Sequence, residues 1–406
     1  MKPVSEHLAA VLAGIEPLEP IDLSLSEASG CVLAEDVTAA WPLPSFDNSS
    51  MDGYAVIADD LRHASPERPI ELTVIDDVPA GFRSTEFLRT GTAIRIMTGA
   101  PLPGGADAVV PVEWTDGGTT RVRITRAPRM GDHLRLTGED VRAGEPVLSR
   151  GDVVGPRQVA LLAAAGRARV RVHPRPRVVV VSTGSELVEA GTPLEPGLIA
   201  DSNGIMLAVA ARRAGADAFR VGPIPDEEST LLKALEDQLV RADLIITSGG
   251  VSMGAYDTVK SVLSRLGTVD FVKVAMQPGM PQGSGRLGSD RTPIITLPGN
   301  PVSSYVSFEV FVRPVIRRML GHRSLGRPSL RAVCASSFTS PGGKTQFARG
   351  RLAIEDGTYV VHPLQGQGSH FLGDLARANA LIVVPPETTA VQAQDIVTVL
   401  DLDQDG

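Results

Sequence analysis

The sequence predicts a multidomain protein of the α/β plus β class, and three observations predict it. Its 406 residues are more than one ordinary core organises, so two to four domains are expected. Between residues 171 and 320, apolar runs (VVVVSTG, ADAFRVGPIPD, ADLIITSGG, VDFVKVAMQPG and PIITLPGNP) alternate with helical patterns such as IMLAVAARRAG and STLLKALEDQLVRA. Alternation of this kind describes a parallel-rich sheet covered by helices. On both sides of that block the period shortens to β-branched runs separated by glycine and proline, the pattern of small β modules.

Taken in order, MKPVSEHLAAVLAGI carries apolar residues at helical spacing and reads as an amphipathic helix capped by Ser5. Glu6 and His7 ahead of the apolar run argue against a secretory leader. Residues 21–45 read as short extended pieces ending in the proline-bracketed WPLPSF. Residues 46–138 contain IELTVI, TAIRIM and TRVRIT, a compact β-rich module. GDVVGPRQVALLAAAG places Pro156 at a first helical position and Gly166 at a stop. RVRVHPRPR is a solvated connector into the α/β block, which closes with the long helix of VSSYVSFEVFVRPVIRRMLG, kinked at Pro314. From about residue 328, LRAVCASSF, YVVHPL and ALIVVPPE read as strands of a small barrel or sandwich.

Composition excludes several function classes. A formal net charge of -8 and an aromatic content of 4% oppose binding of nucleic acid, which needs basic surface and stacking platforms. The two cysteines, Cys31 and Cys334, form no CxxC motif, so neither a disulfide framework nor a zinc site is expected, and a reducing cytoplasm fits. The longest purely aliphatic stretch, Val178 to Val181, is far short of a membrane span, so no membrane segment is expected.

In an open parallel sheet, ligands bind beyond the carboxyl ends of the strands. Here those ends are rich in polar groups. STGSEL brings Thr183 and Glu186, PDEE brings Asp226, and TSGGVSMGAYD brings Ser248, Gly249, Gly250, Ser252 and Asp257; AMQPG and LPGNP follow, with Gln277 and Asn300. Each carboxylate alone is equally compatible with capping a helix start. Their recurrence beside hydroxyls and glycines suggests a hard cation, magnesium by preference, held between carboxylates and a phosphorylated ligand. Neither a P-loop nor a GxGxxG fingerprint is present. A second polar constellation is PSFDNSSMDGYA with Asp52; further loops carry Thr98, then Arg135, Glu139 and Asp140, then Ser369 and His370 in GQGSH. No serine, histidine and aspartate spacing points to acyl transfer.

FDNSSMDGYA, IRIMTGAPLPGGADAVV, GED, STGSEL, DSNG, SGGVSMGAYD, LPGNP and QGSH occur in this order, nearly end to end. In them the chain resembles the molybdopterin molybdenumtransferases, the family that includes the E domain of gephyrin. The resemblance implies an L-shaped homodimer of four-part subunits. It assigns 1–20 to an N-terminal helix packed on the α/β domain, 21–45 with 139–170 to a linking domain, and 46–138 to a β-rich inserted domain. Residues 171–326 then form a three-layer molybdopterin-binding domain and 327–406 a C-terminal β-barrel. The implied reaction is magnesium-dependent insertion of molybdate into adenylylated molybdopterin with release of AMP, and a molybdopterin adenylyltransferase is an implied partner. Carried onto matching positions, the functional set is Asp52, Thr98, Arg135, Asp140, Glu186, Asp226, Asp257, Lys273, Pro298, Pro301, Arg349 and Ser369. Asp52, Glu186, Asp226 and Asp257 are the catalytic members, the last three also holding the metal. The strand-end residues Thr183, Ser248, Gly249, Gly250, Ser252, Gln277 and Asn300 join the others in binding substrate. One stretch departs from the pattern: where many members carry the lysines of a KPGKP turn, this chain has Gln277 and Met280. Two alternatives use the same fold, an interaction scaffold and a nucleotide pyrophosphate hydrolase.

Overall fold

The structure is a computed structural model that describes residues 1–249 and 256–404, with backbone alone for Tyr256 and Asp257. It resolves into two compact units, one of Met1–Ile21, Gly30–Ala34 and Arg171–Gly406, the other of Asp22–Ser29 and Glu35–Val170.

The first unit contains the α/β sheet. Its elements are helix α1 (Val4–Leu12), β1 (Arg177–Thr183), α2 (Ser202–Arg213), β2 (Asp217–Ile224), α3 (Glu228–Leu239), β3 (Leu244–Ser248) and α4 (Tyr256–Leu266). β4 (Gly267–Lys273), β5 (Pro281–Leu287), β6 (Thr292–Leu297), α5 (Pro301–Ser307) and α6 (Arg313–Met319) complete it. The strand order is β2-β1-β3-β6-β5-β4. The first four strands are mutually parallel, whereas β5 pairs antiparallel with both β6 and β4. β5, PQGSGRL, has no β-branched residue and none of the expected strand signal. Its glycines are required by crowding: a Cβ on Gly283 would lie 2.0 Å from Thr296 Oγ1, and one on Gly285 2.0 Å from the Thr268 carbonyl oxygen.

Apolar residues cover both faces of the sheet. Val178, Val180 and Ile246 pack with Val11, Leu207, Phe308 and Val312 on one side, and Val179, Val181 and Ile245 with Leu231, Leu235, Val259 and Leu263 on the other. These are the three layers that a run of consecutive valines requires, because successive side chains of a strand point to opposite faces. α1 begins two residues earlier than the sequence predicts. Pro3 occupies the cap position, no side chain caps the helix, and Ser5 is already helical, so Ser5 is not the N-cap. The long helix is interrupted as well: a π-helical turn, Phe308–Val312, separates α5 from α6. Pro314 has no N–H and its ring crowds the carbonyl of residue 310, which lies inside that turn, so the expected kink takes this form.

The C-terminal strands are β7 (Ser329–Cys334), β8 (Thr345–Glu355), β9 (Thr358–Pro363), β10 (Ala380–Val384) and β11 (Ile396–Asp401). They run in the order β8-β9-β7-β11-β10, and β10 pairs again with β8, which closes a five-stranded barrel and excludes the sandwich. The short strand Met276–Gln277 adds in parallel to Thr345–Gln346 at the start of β8. In the second unit, Ala108–Pro111, Gly53–Val56, Thr92–Ile96, Ile70–Val78 and Arg121–Ile124 form a five-stranded sheet in that order. Helix Pro156–Ala164 starts at its proline, and Gly166 follows its end at φ +84°. No helix among the described residues is long and apolar enough to cross a membrane.

Just ahead of β7, Arg327 forms a buried bidentate pair with Glu309 of the π turn, Nε to Oε2 at 2.7 Å and Nη2 to Oε1 at 3.0 Å. Their side chains are 2% and 1% exposed. Arg327→Met strands the Glu309 charge, and the expected loss is about 3–5 kcal/mol of unfolding free energy in urea titration. Arg327→Met with Glu309→Leu is expected to recover most of it.

Candidate active site

Because β2, β1, β3 and β6 are parallel, their carboxyl ends open onto one edge of the sheet, and a cavity of about 850 Å³ lies there. Thr183, Glu186, Asp226, Ser248, Gly249 and Asn300 all line it. That volume is within the range of about 300–1,000 Å³ typical of small-molecule sites. Ser182 Oγ, Thr183 Oγ1 and Thr247 Oγ1 are buried at the strand ends with no hydrogen-bond partner among the described residues. A buried hydroxyl without a partner is costly, and a cluster of them is suited to a ligand that supplies the missing bonds.

Close approach of two loops shapes the floor. Gly249 has φ +98°, and a Cβ there would lie 2.2 Å from the Thr183 carbonyl oxygen. Only glycine satisfies both the left-handed backbone and the contact. Asn203, which the sequence reading did not single out, ties the edge together: its Nδ2 donates to Ser248 Oγ at 2.9 Å and to the Gly299 carbonyl at 2.6 Å. Asn203 is held in place by Asp201, whose Oδ1 caps α2 by accepting from the Gly204 N–H at 2.8 Å. Asp201 is 1% exposed and pairs through Oδ2 with Arg220 at 2.9 Å. The available signal for both residues was DSNG, an aspartate at a cap position ahead of a helical pattern.

Asp226 follows β2, half-buried, with its N–H donating to Ser185 Oγ at 3.1 Å and its Oδ1 buried without a partner among the described residues. Burial pushes its carboxyl above the ordinary range, and the charge of Glu186 adds to the effect. A half-buried carboxylate beside a second acidic group is what a hard divalent cation relieves, so the two residues fit magnesium. Gly250, Ser252 and the side chain of Asp257 lie outside the described residues, among which no cluster of three metal-ligating side chains occurs.

The remaining predicted residues divide into groups. Pro298, Pro301 and His370 join the cavity wall. Gln277 and Ser369 line a second, smaller cavity in the same unit. Lys273 is exposed at the end of β4 and lines neither. Arg349 is fully buried; its Nη2 donates to the carbonyls of Gly366 and Gly368, and burial presses its pKa down. Its visible task is to hold the loop that carries Ser369. Asp52, Thr98, Arg135 and Asp140 belong to the other unit. There Asp52 Oδ1 accepts from the Thr98 N–H at 2.7 Å and from its hydroxyl at 2.8 Å, bonds that lower the Asp52 pKa. Arg135 and Asp140 are exposed.

Three family descriptions match the chain in sequence: the MoeA N-terminal region (domain I and II) over residues 2–166, a probable molybdopterin binding domain over 179–318, and the MoeA C-terminal region (domain IV) over 331–402. A molybdopterin molybdenumtransferase 2 of Mycobacterium tuberculosis is 49% identical over 408 residues, covering 99% of this chain and 100% of its own. The chain belongs to the molybdopterin molybdenumtransferase family. A Bacillus subtilis molybdopterin molybdenumtransferase is 36% identical, covering 98% of this chain and 93% of its own. The crystal structure of a molybdopterin biosynthesis MoeA protein from Pyrococcus horikosii superposes with a TM-score of 0.82 at 30% identity, covering 98% of each chain. Within this molybdopterin molybdenumtransferase fold, the residues matched as the probable molybdopterin binding domain include all six strands of the α/β sheet except the first residues of β1.

Two outcomes follow from the geometry. Gly249→Ala is expected to lose more than about 1 kcal/mol of stability, from the left-handed backbone alone, and to deform the Thr183 strand end; denaturant titration and ligand binding measure the two effects. For Asp226, the folded-state pKa lies above the unfolded one, so the native state holds the proton more tightly. Stability contributed at low pH is therefore lost as pH rises from about 4 through the raised value. The unfolding free energy of Asp226→Asn relative to the parent is expected to increase across that window, in urea melts at stepped pH.

Proposed function

We propose that the protein inserts molybdate into adenylylated molybdopterin with magnesium present, releasing AMP and molybdenum cofactor. The observation that carries this reading is the large cavity at the strand ends, where Glu186 and Asp226 face unpartnered hydroxyls and a glycine-lined floor. The relatives named molybdopterin molybdenumtransferase support it at the level of the reaction.

In this reading Glu186 and Asp226 hold the cation, and Asp257 is expected to join them. When bound, the cation offsets the negative charge of the pyrophosphate. Ser182 and Thr183, in the cavity wall, turn their hydroxyls to the substrate, while Asn203 keeps Ser248 and the Gly299 carbonyl at fixed separation. The absence of a side chain at Gly249 leaves backbone accessible to phosphate oxygens. Gln277 and Ser369, in the smaller cavity, receive molybdate. The enzyme acts as a cytoplasmic homodimer that takes substrate from a molybdopterin adenylyltransferase, and sedimentation equilibrium tests the dimer.

Incubation with adenylylated molybdopterin, magnesium and molybdate is expected to yield AMP and active cofactor together. Glu186→Ala and Asp226→Ala are each expected to slow AMP release by about 100-fold or more with the fold intact. Undiminished turnover in both variants would reduce the two carboxylates to structural groups, and AMP release indifferent to molybdate would identify a hydrolase instead.

A further inference from the structure

The family turn that many members furnish with lysines is uncharged in this chain at Gln277 and Met280, yet the cavity those two residues line is not without a cation. Its volume is about 230 Å³, below the usual range for organic ligands, and Gln277, Met280, Ser303, Lys344, Gln367 and Ser369 are among the residues that line it. Lys344 is the one charged residue in that wall. It is half-buried and makes no ion pair among the described residues.

The backbone explains why Lys344 arrives there. Thr345 opens β8 and pairs with Met276, Gln346 pairs with Gln277, and the Thr345 N–H donates to the Ala275 carbonyl at 2.9 Å. A residue immediately before Thr345 is therefore brought beside the Met276–Met280 turn by strand register, independently of its own side chain. The opposite wall is fixed too: the Ser369 carbonyl accepts from the Val302 N–H at 3.2 Å, which joins the loop held by Arg349 to the start of α5. Two serines, Gln277 and one ammonium make a donor-rich lining suited to a small oxyanion, while the Gln367 amide donates to the Arg349 and Leu364 carbonyls and fixes the loop behind them. It adjoins the larger cavity along the chain, since Met280, Ser303 and Ser369 are followed or preceded within two residues by Pro281, Pro301 and His370 of that cavity.

We propose that Lys344 is the residue that neutralises molybdate in this chamber, supplying from the barrel strand the charge that Gln277 and Met280 do not carry. The inference rests on the molybdate-insertion reading and names a determinant of it. An ammonium acts as a point charge, so its position around a small anion is exchangeable in a way that a bidentate guanidinium is not.

The test is relocation of the charge, read by isothermal titration with sodium molybdate on the intact protein. Lys344→Ala is expected to weaken molybdate binding about ten- to a hundredfold, with an unchanged thermal midpoint. Adding Gln277→Lys in that background is expected to restore most of the affinity, and Lys344→Arg to keep part of it. In turnover, the loss is expected in the KM for molybdate rather than in kcat. Parent-like binding by Lys344→Ala, or a loss that neither Gln277→Lys nor Met280→Lys recovers, would overturn the assignment while leaving the insertion reading in place. Failure of the parent protein both to bind molybdate and to form cofactor would overturn that reading, and this inference with it.

Discussion

The parallel pairing of β2, β1, β3 and β6 is the constraint on which the larger cavity depends. Parallel strands need crossover connections, and the crossovers put helices on both faces, leaving the carboxyl ends as the one edge where polar loops gather. Thr183, Asp226, Ser248 and Pro298 come from four different strand ends, far apart in sequence, and no local motif holds them together. The apolar layers above and below the sheet are what stabilise this edge, so the hydroxyls there are free to serve a ligand at a cost the core offsets.

Much of this was legible in the sequence because the informative strands are unbroken apolar runs ending in glycine, serine and acidic residues. VVVVSTGSEL announces both a buried strand and the polar turn after it. Where tertiary contact decides, the sequence is silent. β5 is glycine-rich because its neighbours leave no room for side chains, and steric exclusion resembles a loop in composition. Asn203 is one asparagine in an ordinary helix start until Ser248 and Gly299 are seen on either side of its amide. Arg349 is legible as a family position, but not its burial beneath the Gly366–Ser369 loop. Ser5 misled for a simpler reason: capping preference outweighs proline only when the helix begins after the serine, and here Pro3 already sets the entry.

The two cavities use charge differently. In the larger one, Glu186 and Asp226 line the wall, and burial disfavours the charged form of Asp226. In the smaller one, neutral donors predominate and a single ammonium contributes all the formal charge of the wall. The two linings therefore differ in sign, carboxylates in the larger and one ammonium in the smaller.

The Arg327–Glu309 pair has a consequence for descent as well as for stability. Each partner is sealed from water by the other's surroundings, and each is the other's nearest counter-charge. A change at either position alone passes through a form with an orphaned ion, whereas the paired change does not. The two positions are therefore expected to change together. A lineage is expected to keep both for long periods or to exchange both almost at once, and a relative that carries only one would reveal a compensating neighbour near the π turn.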